Sequence, residues 1–139
     1  MSELRHFPGS EQTIEIVLDG AATGGELALM TLRMPPGAGS PLHRHAHESE
    51  TLVVREGTLS VVREGERLEL GPGEAVHLPR GVLHSFVSDR GAVVEVLALP
   101  AGLEDFFRVI CALAPDAPPP AAAEVAAAVE RHGLDFSGT

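Results

Sequence analysis

Between Thr13 and Leu99 apolar residues recur at alternate positions in short runs, and glycine, proline or charge interrupts each run. The runs are "TIEIVLD", "ELALMTLRM", "TLVVRE", "TLSVVRE", "ERLELG", "EAVHLP", "HSFVSD" and "AVVEVLALP". A period of two places successive side chains on opposite faces of an extended backbone, so each run predicts a strand with one face turned inward. The interruptions carry turn chemistry: Glu56-Gly57, Glu64-Gly65, "GPG" at Gly71 to Gly73 and "DRG" at Asp89 to Gly91. Many short strands at this spacing predict an all-β antiparallel barrel or sandwich.

After Pro100 the period changes. Leu103, Phe106, Phe107, Ile110 and Leu113 follow the spacing of an amphipathic helix with one apolar stripe. The stretch "APDAPPP", Ala114 to Pro120, ends it, and "AAAEVAAAVERHG" predicts a second helix. Pro120 suits the start of that helix, Arg131 and His132 complement its C-terminal dipole, and Gly133 fits the position after its end. The two helices are expected to pack on the barrel as an extension of the same domain, with 1–100 forming the barrel and 101–139 the extension.

A chain of 139 residues with 44% hydrophobic and 22% charged residues is long enough and apolar enough to bury a core. Its formal net charge is −10, and its ten basic residues, all arginine, are scattered from Arg5 to Arg131. Phosphate backbones and anionic lipids call for clustered positive charge, so neither nucleic acid nor a membrane is an expected partner. The start "MSELRHFPGSEQ" lacks the apolar run of a signal peptide, and a cytoplasmic location is expected. Cys111 is alone and lies in an apolar helical pattern, which reads as a buried structural thiol. The chain contains no Lys, Tyr or Trp. Schiff-base lysine chemistry and mechanisms built on a phenol are therefore excluded, leaving His, Glu, Asp, Arg or a metal.

The chemistry concentrates in "PLHRHAHESETLVVREG", Pro41 to Gly57. His43 and His45 share a face if the segment is extended, which makes half of a chelate. Glu50 heads the strand face that continues through Leu52 and Val54, where a carboxylate needs a partner or a cation to offset its desolvation. His84 opens a further strand, with Phe86 and Ser88 on its face. Three imidazoles and one carboxylate form a mixed N/O set suited to a divalent first-row ion, and in an octahedral sphere they leave two positions open. The alternative reading of the first stretch is a solvated histidine-rich loop. Glu48 competes with Glu50 as a ligand, but it falls with His47 in the expected bend, where a solvated role is simpler.

These residues resemble the cupin family. Its first motif, G-x5-H-x-H-x3,4-E-x6-G, is matched at Gly37, His43, His45, Glu50 and Gly57, with five, one, four and six residues between them. Its second, G-x5-P-x-G-x2-H-x3-N, is matched at Gly73, Pro79, Gly81 and His84, with Ser88 in place of Asn. Fifteen residues, Thr58 to Pro72, separate the motifs, as in small bacterial single-domain cupins. The resemblance implies a double-stranded β-helix, or jelly-roll, barrel. It also implies that His43, His45, Glu50 and His84 hold one divalent transition metal, Fe, Mn, Ni or Zn. Pro79 and the glycines have their own physical reading as turn geometry.

Leu52, Val54, His77, Phe86 and Ser88 are further pocket candidates, with His77 as a residue that could orient a ligand or substrate. His47 is assigned to the rim, His6 and His132 to the surface, and Glu95 to the outward face of its strand. Small cupins with C-terminal helices look like the quercetinase-type dioxygenases. The resemblance therefore implies a metal-dependent oxygenase acting on a small organic substrate, with Glu50 as ligand and proton acceptor. The alternatives are a non-catalytic binder of a metal or small ligand, and an isomerase, epimerase or cyclase. The missing Tyr weighs against the epimerases, and the missing Lys against phosphosugar isomerases. A homodimer is expected, because sheet edges of such barrels often pair.

Overall fold

The computed structural model describes residues 2–138. The chain begins with β1 (Glu3–His6), β2 (Thr13–Leu18), the short helix α1 (Gly20–Thr23), β3 (Ala28–Met34), β4 (Gly39–His45) and β5 (Ser49–Gly57). It continues through β6 (Leu59–Arg63), β7 (Glu66–Leu70), β8 (Ala75–Leu78), β9 (His84–Val87) and β10 (Ala92–Leu99). Two helices, α2 (Leu103–Ile110) and α3 (Ala122–Arg131), precede β11 (Leu134–Asp135). No helix among the described residues is long and apolar enough to cross a membrane.

The strands form two antiparallel sheets, ordered β1-β2-β3-β10-β5-β8 and β11-β4-β9-β6-β7, in the jelly-roll arrangement. Alternation decides what faces inward. In β10, Ala92, Val94, Val96 and Ala98 are buried, and the core continues through Ile14 and Ile16 of β2, Met30 and Leu32 of β3, and Leu52 and Val54 of β5. Full burial of a Leu, Val or Ile side chain contributes about 1.5–3 kcal/mol, so this face dominates the energetics of the fold. Glu95 sits on the opposite face of β10, as its parity predicts, where it accepts from Arg55 Nη1 at 2.8 Å and from Thr31 Oγ1 at 3.0 Å.

The helices depart from the sequence pattern at their ends. The apolar stripe runs to Leu113, but α2 stops at Ile110 and Leu113 is 67% exposed. Cys111 turns extended so that Ala112 can exchange backbone hydrogen bonds with His6, at 2.7 and 2.9 Å; pairing with β1 outcompetes a further helical turn. Cys111 is buried as expected, just beyond the helix. Glu104, which has no sequence signature, is buried in the first turn of α2, where its carboxylate accepts from Gly20 N at 2.7 Å and Gly102 N at 2.6 Å. Arg108 donates to Glu3 and Asp19 at 3.0 Å each and to Asp105 at 2.8 Å, tying α2 to β1 and to the N-terminus of α1. After α3, Gly133 adopts φ 66°, and β11 lies antiparallel to the end of β4, opposite Arg44 and His45.

Candidate metal centre

Strand pairing brings His43 of β4 directly opposite His84 of β9, while Glu50 arrives from β5 in the other sheet. A register shift between Ser40 and His43 sets the local frame of β4. Gly81, at φ 77°, donates its N–H to His45 O at 2.8 Å, which fixes the turn before His84 against the histidine strand. Arg80 adds a clamp, donating from Nε to His47 O at 2.8 Å and from Nη2 to Leu99 O at 3.2 Å.

His43, His45, Glu50 and His84 are all buried, and one ligand atom from each lies within 4.8 Å of the others. His43 Nε2 is 3.1 Å from His45 Nε2, and Glu50 Oε1 is 2.9 Å from His45 Nε2 and 3.4 Å from His84 Nε2. The outer ring nitrogens are engaged elsewhere. His43 Nδ1 meets Pro41 O at 2.7 Å, His84 Nδ1 meets Val82 O at 3.0 Å, and His45 Nδ1 meets Glu48 Oε1 at 2.9 Å.

A carbonyl oxygen only accepts, so the proton on His43 and on His84 belongs on Nδ1 and the lone pair of each neutral ring belongs on Nε2. The lone pairs of His43 and His84 and the Glu50 carboxylate thus converge on His45 in a buried space. His84 Nε2 finds no hydrogen-bond partner there, and burying it without one is costly. A cation at the centre satisfies all four donors at once, and three imidazoles with one carboxylate suit a divalent first-row ion. The residues fit a metal.

The electrostatics agree. Burial holds the His43 imidazole down at about 4, with His84 adding to the effect, so this ring is neutral and free to ligate. For Glu50, burial pushes upward, but the hydrogen bond and charge of His45, 2.9 Å away, outweigh it and hold the carboxyl well below the usual carboxylate range. Burial also works against charge on His45, yet the Glu48 and Glu50 carboxylates raise it to about 9. In the absence of a metal, a proton on His45 supplies the positive charge between these acids; a metal cation replaces it.

Glu48 therefore requires a correction. The sequence assigns it to a solvated bend, but its side chain is only 4% exposed and orients His45 through Nδ1. The bend folds back beneath the ring three residues earlier, a tertiary effect that strand parity does not encode. His47 is exposed, and its ring lies against Gly133.

A cavity of about 290 Å³ opens from this centre between the sheets and α2. His43, His45 and Glu50 line it, together with the predicted Leu52 and Phe86. The other pocket candidates lie elsewhere. Val54 is fully buried in the core and absent from the cavity wall. His77 is on the outer face of β8 and meets Thr51 Oγ1 at 2.9 Å, because the inward positions there belong to Val76 and Leu78. Ser88 is buried, but its hydroxyl donates to Thr58 O at 2.6 Å and ties two loops together. The sequence reading missed Phe7, Phe106, Phe107 and Phe136 as cavity residues, as well as Gln12. Phe136 stacks on His43 with centroids 5.3 Å apart and an interplanar angle of 26°. The scarcity of aromatic residues was an available signal: the chain has five Phe, and all five line this cavity.

Residues 30–100 match the family model described as the cupin domain, a span that contains all four donors and both motifs. The chain belongs to the cupin family. Among curated proteins, this cupin is 30% identical over 101 residues to quercetin 2,3-dioxygenase of Bacillus subtilis, a match covering 72% of this chain and 30% of that protein. The chain thus spans less than a third of the length of that relative. Among solved structures, it resembles an RmlC-like cupin from Shewanella frigidimarina with a TM-score of 0.65 and 24% identity, over 76% of this chain and 89% of that one. It also resembles oxalate decarboxylase from Bacillus subtilis with a TM-score of 0.61 and 22% identity, over 72% of this chain and 27% of that one. At these identities the two structures speak for the fold alone.

Proposed function

We propose that this cupin is a metal-dependent oxygenase acting on a small, largely apolar organic substrate. The observation that carries the reading is the convergence of three Nε2 atoms and Glu50 Oε1, with His43, His45 and Glu50 forming part of the wall of a largely apolar cavity. Its similarity to quercetin 2,3-dioxygenase adds weight. His43, His45, Glu50 and His84 hold the metal, which when bound supplies Lewis acidity and, for Fe, Mn or Ni, redox chemistry toward dioxygen. The largely apolar walls exclude water and let shape and burial carry most of the substrate binding. Glu50, kept ionised by its histidine neighbours, is the carboxylate placed to take a proton from an acidic group of the substrate.

The test is oxygen consumption by protein loaded separately with Fe, Mn and Ni, across a panel of flavonols, catechols and simpler phenols. Uptake that requires both metal and substrate, and that is lost in Glu50→Ala, is expected. Tight substrate binding with no oxygen uptake under any metal would leave a non-catalytic binding protein instead.

The proposed assembly is a cytoplasmic homodimer formed through a sheet edge. Strand β1 ends its sheet, paired beyond it only at His6 with Ala112 among the described residues, and carries Leu4, which is 45% exposed, as an apolar contact for a second copy. A monomer mass by light scattering at micromolar concentration would contradict it.

A further inference from the structure

The cavity holds a polar group that the metal centre does not use. Gln12 precedes β2 and shares the inward parity of Ile14 and Ile16, so its side chain enters the space between the sheets. Its backbone is fixed on both sides: its N–H donates to Ser10 Oγ at 3.0 Å, and its carbonyl accepts from Phe7 N at 3.0 Å. The side chain lines the cavity and is 8% exposed, and its Oε1 has no hydrogen-bond partner. A buried amide oxygen left unpaired carries a desolvation cost that a leucine of similar size would avoid. Gln12 is thus poorly suited to filling a core and well suited to receiving a donor from outside the chain.

Its position relative to the metal centre follows from strand register. Ile14 lies opposite Leu32, Leu32 opposite Val94, and Glu50 opposite Ala98. Ile14 and Glu50 therefore stand four positions apart along β10, from Val94 to Ala98, or about 13 Å at the rise of a strand. Gln12 is two residues farther still along β2, so the cavity is polar toward both ends. The rest of the wall is largely aromatic and aliphatic, with Phe7 and Phe106 both packed on Phe107 of α2. Ring faces and edges pack best against other rings, with offset or edge-to-face geometry.

We propose that Gln12 is a specificity-determining residue of this cavity, its Oε1 accepting a hydrogen bond from an N–H or O–H on the edge of a compact aromatic ligand held by the phenylalanine walls. This rests on the reading that the cavity receives the substrate, and it adds the substrate's chemistry: a ring system with a donor remote from the metal. A site that hydrogen-bonds a donor discriminates strongly against the analogue that lacks it, because the acceptor is then left buried and unpaired. Ser40 Oγ is a second cavity atom without a partner and is the competing acceptor.

The experiment is titration calorimetry of the zinc-loaded protein with indole and with benzothiophene, a pair of similar shape of which only indole donates. Zinc engages the histidine and glutamate donors and is redox-inert, so binding is read without turnover. Wild type is expected to prefer indole by about tenfold. Gln12→Leu and Gln12→Met are expected to reduce the preference below about twofold by weakening indole alone, while Ser40→Ala retains it. Equal affinities in wild type, binding of neither probe, or a preference that survives in both Gln12 variants would each overturn the proposal. So would a preference lost only in Ser40→Ala. Metal content and binding to metal-free protein, measured on the same samples, separate the two readings. A Gln12-dependent preference without oxygen chemistry removes the oxygenase and leaves this inference standing, whereas oxygen uptake without the preference does the reverse.

Discussion

Each histidine of the centre is held at Nδ1, and that contact decides which nitrogen faces the metal. For His43 and His84 the partner is a backbone carbonyl, which no substitution removes; for His45 it is the Glu48 carboxylate. Glu48→Ala is therefore expected to weaken zinc binding by about 10–100-fold with the fold retained, and Glu48→Gln, whose carbonyl still accepts from Nδ1, to recover part of the loss. A competition titration against a chromophoric chelator measures both. Unchanged affinity in the alanine variant would mean that Glu48 does not position the ring.

At the same scale, burial pushes the Cys111 thiol up to about 12 from its ordinary 9. The folded state thus keeps the proton longer than the unfolded state. The stability this contributes is complete below pH 9 and lost as pH rises toward 12. Native protein is expected to be inert to aromatic disulfide reagents at pH 8 and to react with one equivalent after denaturation. Rapid reaction of the native protein would place the thiol at the surface.

Among the elements, the tightest constraint is the crossing of β5 and the start of β10. Gly57 has φ 77°, and a Cβ there would press on the carbonyl of Gly91. Gly65 has φ 80° but open space around it. Gly57→Ala is therefore expected to cost about 2–4 kcal/mol, combining backbone strain with a clash, and Gly65→Ala about 1 kcal/mol from strain alone. Paired thermal melts compare them, and equal shifts would contradict the close approach.

The strands that alternate cleanly, such as β5 and β10, were legible in the sequence because one face of each is buried and the other is wet. Strand β4 was legible only through its chemistry, since "GSPLHRH" has no apolar alternation and its inward positions carry imidazoles. The metal ligands could be read because backbone parity and turn spacing bring them together. Glu48 and Glu104 could not be, because their burial depends on which distant segment covers them. The same holds for Phe136, which reaches His43 only because β11 returns to β4 after two helices.

Across the whole molecule, the centre joins the two sheets: β4 and β9 from one, β5 from the other. A metal bound there cross-links the barrel, and the folded state gains stability by mass action. At a hundredfold excess over the dissociation constant the gain is about 2.7 kcal/mol, so zinc is expected to raise the melting temperature of wild type and leave that of Glu50→Ala unchanged.

The central claim is that His43, His45, Glu50 and His84 form one metal centre, and elemental analysis tests it most directly. Wild type, purified without an affinity tag or chelators, is compared with Glu50→Ala, both before and after reconstitution with Fe, Mn, Ni and Zn. The structure predicts about one equivalent of a divalent ion per wild-type chain and strong depletion in the variant. Wild type that retains no metal from any of these ions, or a variant that retains as much as wild type, would contradict it.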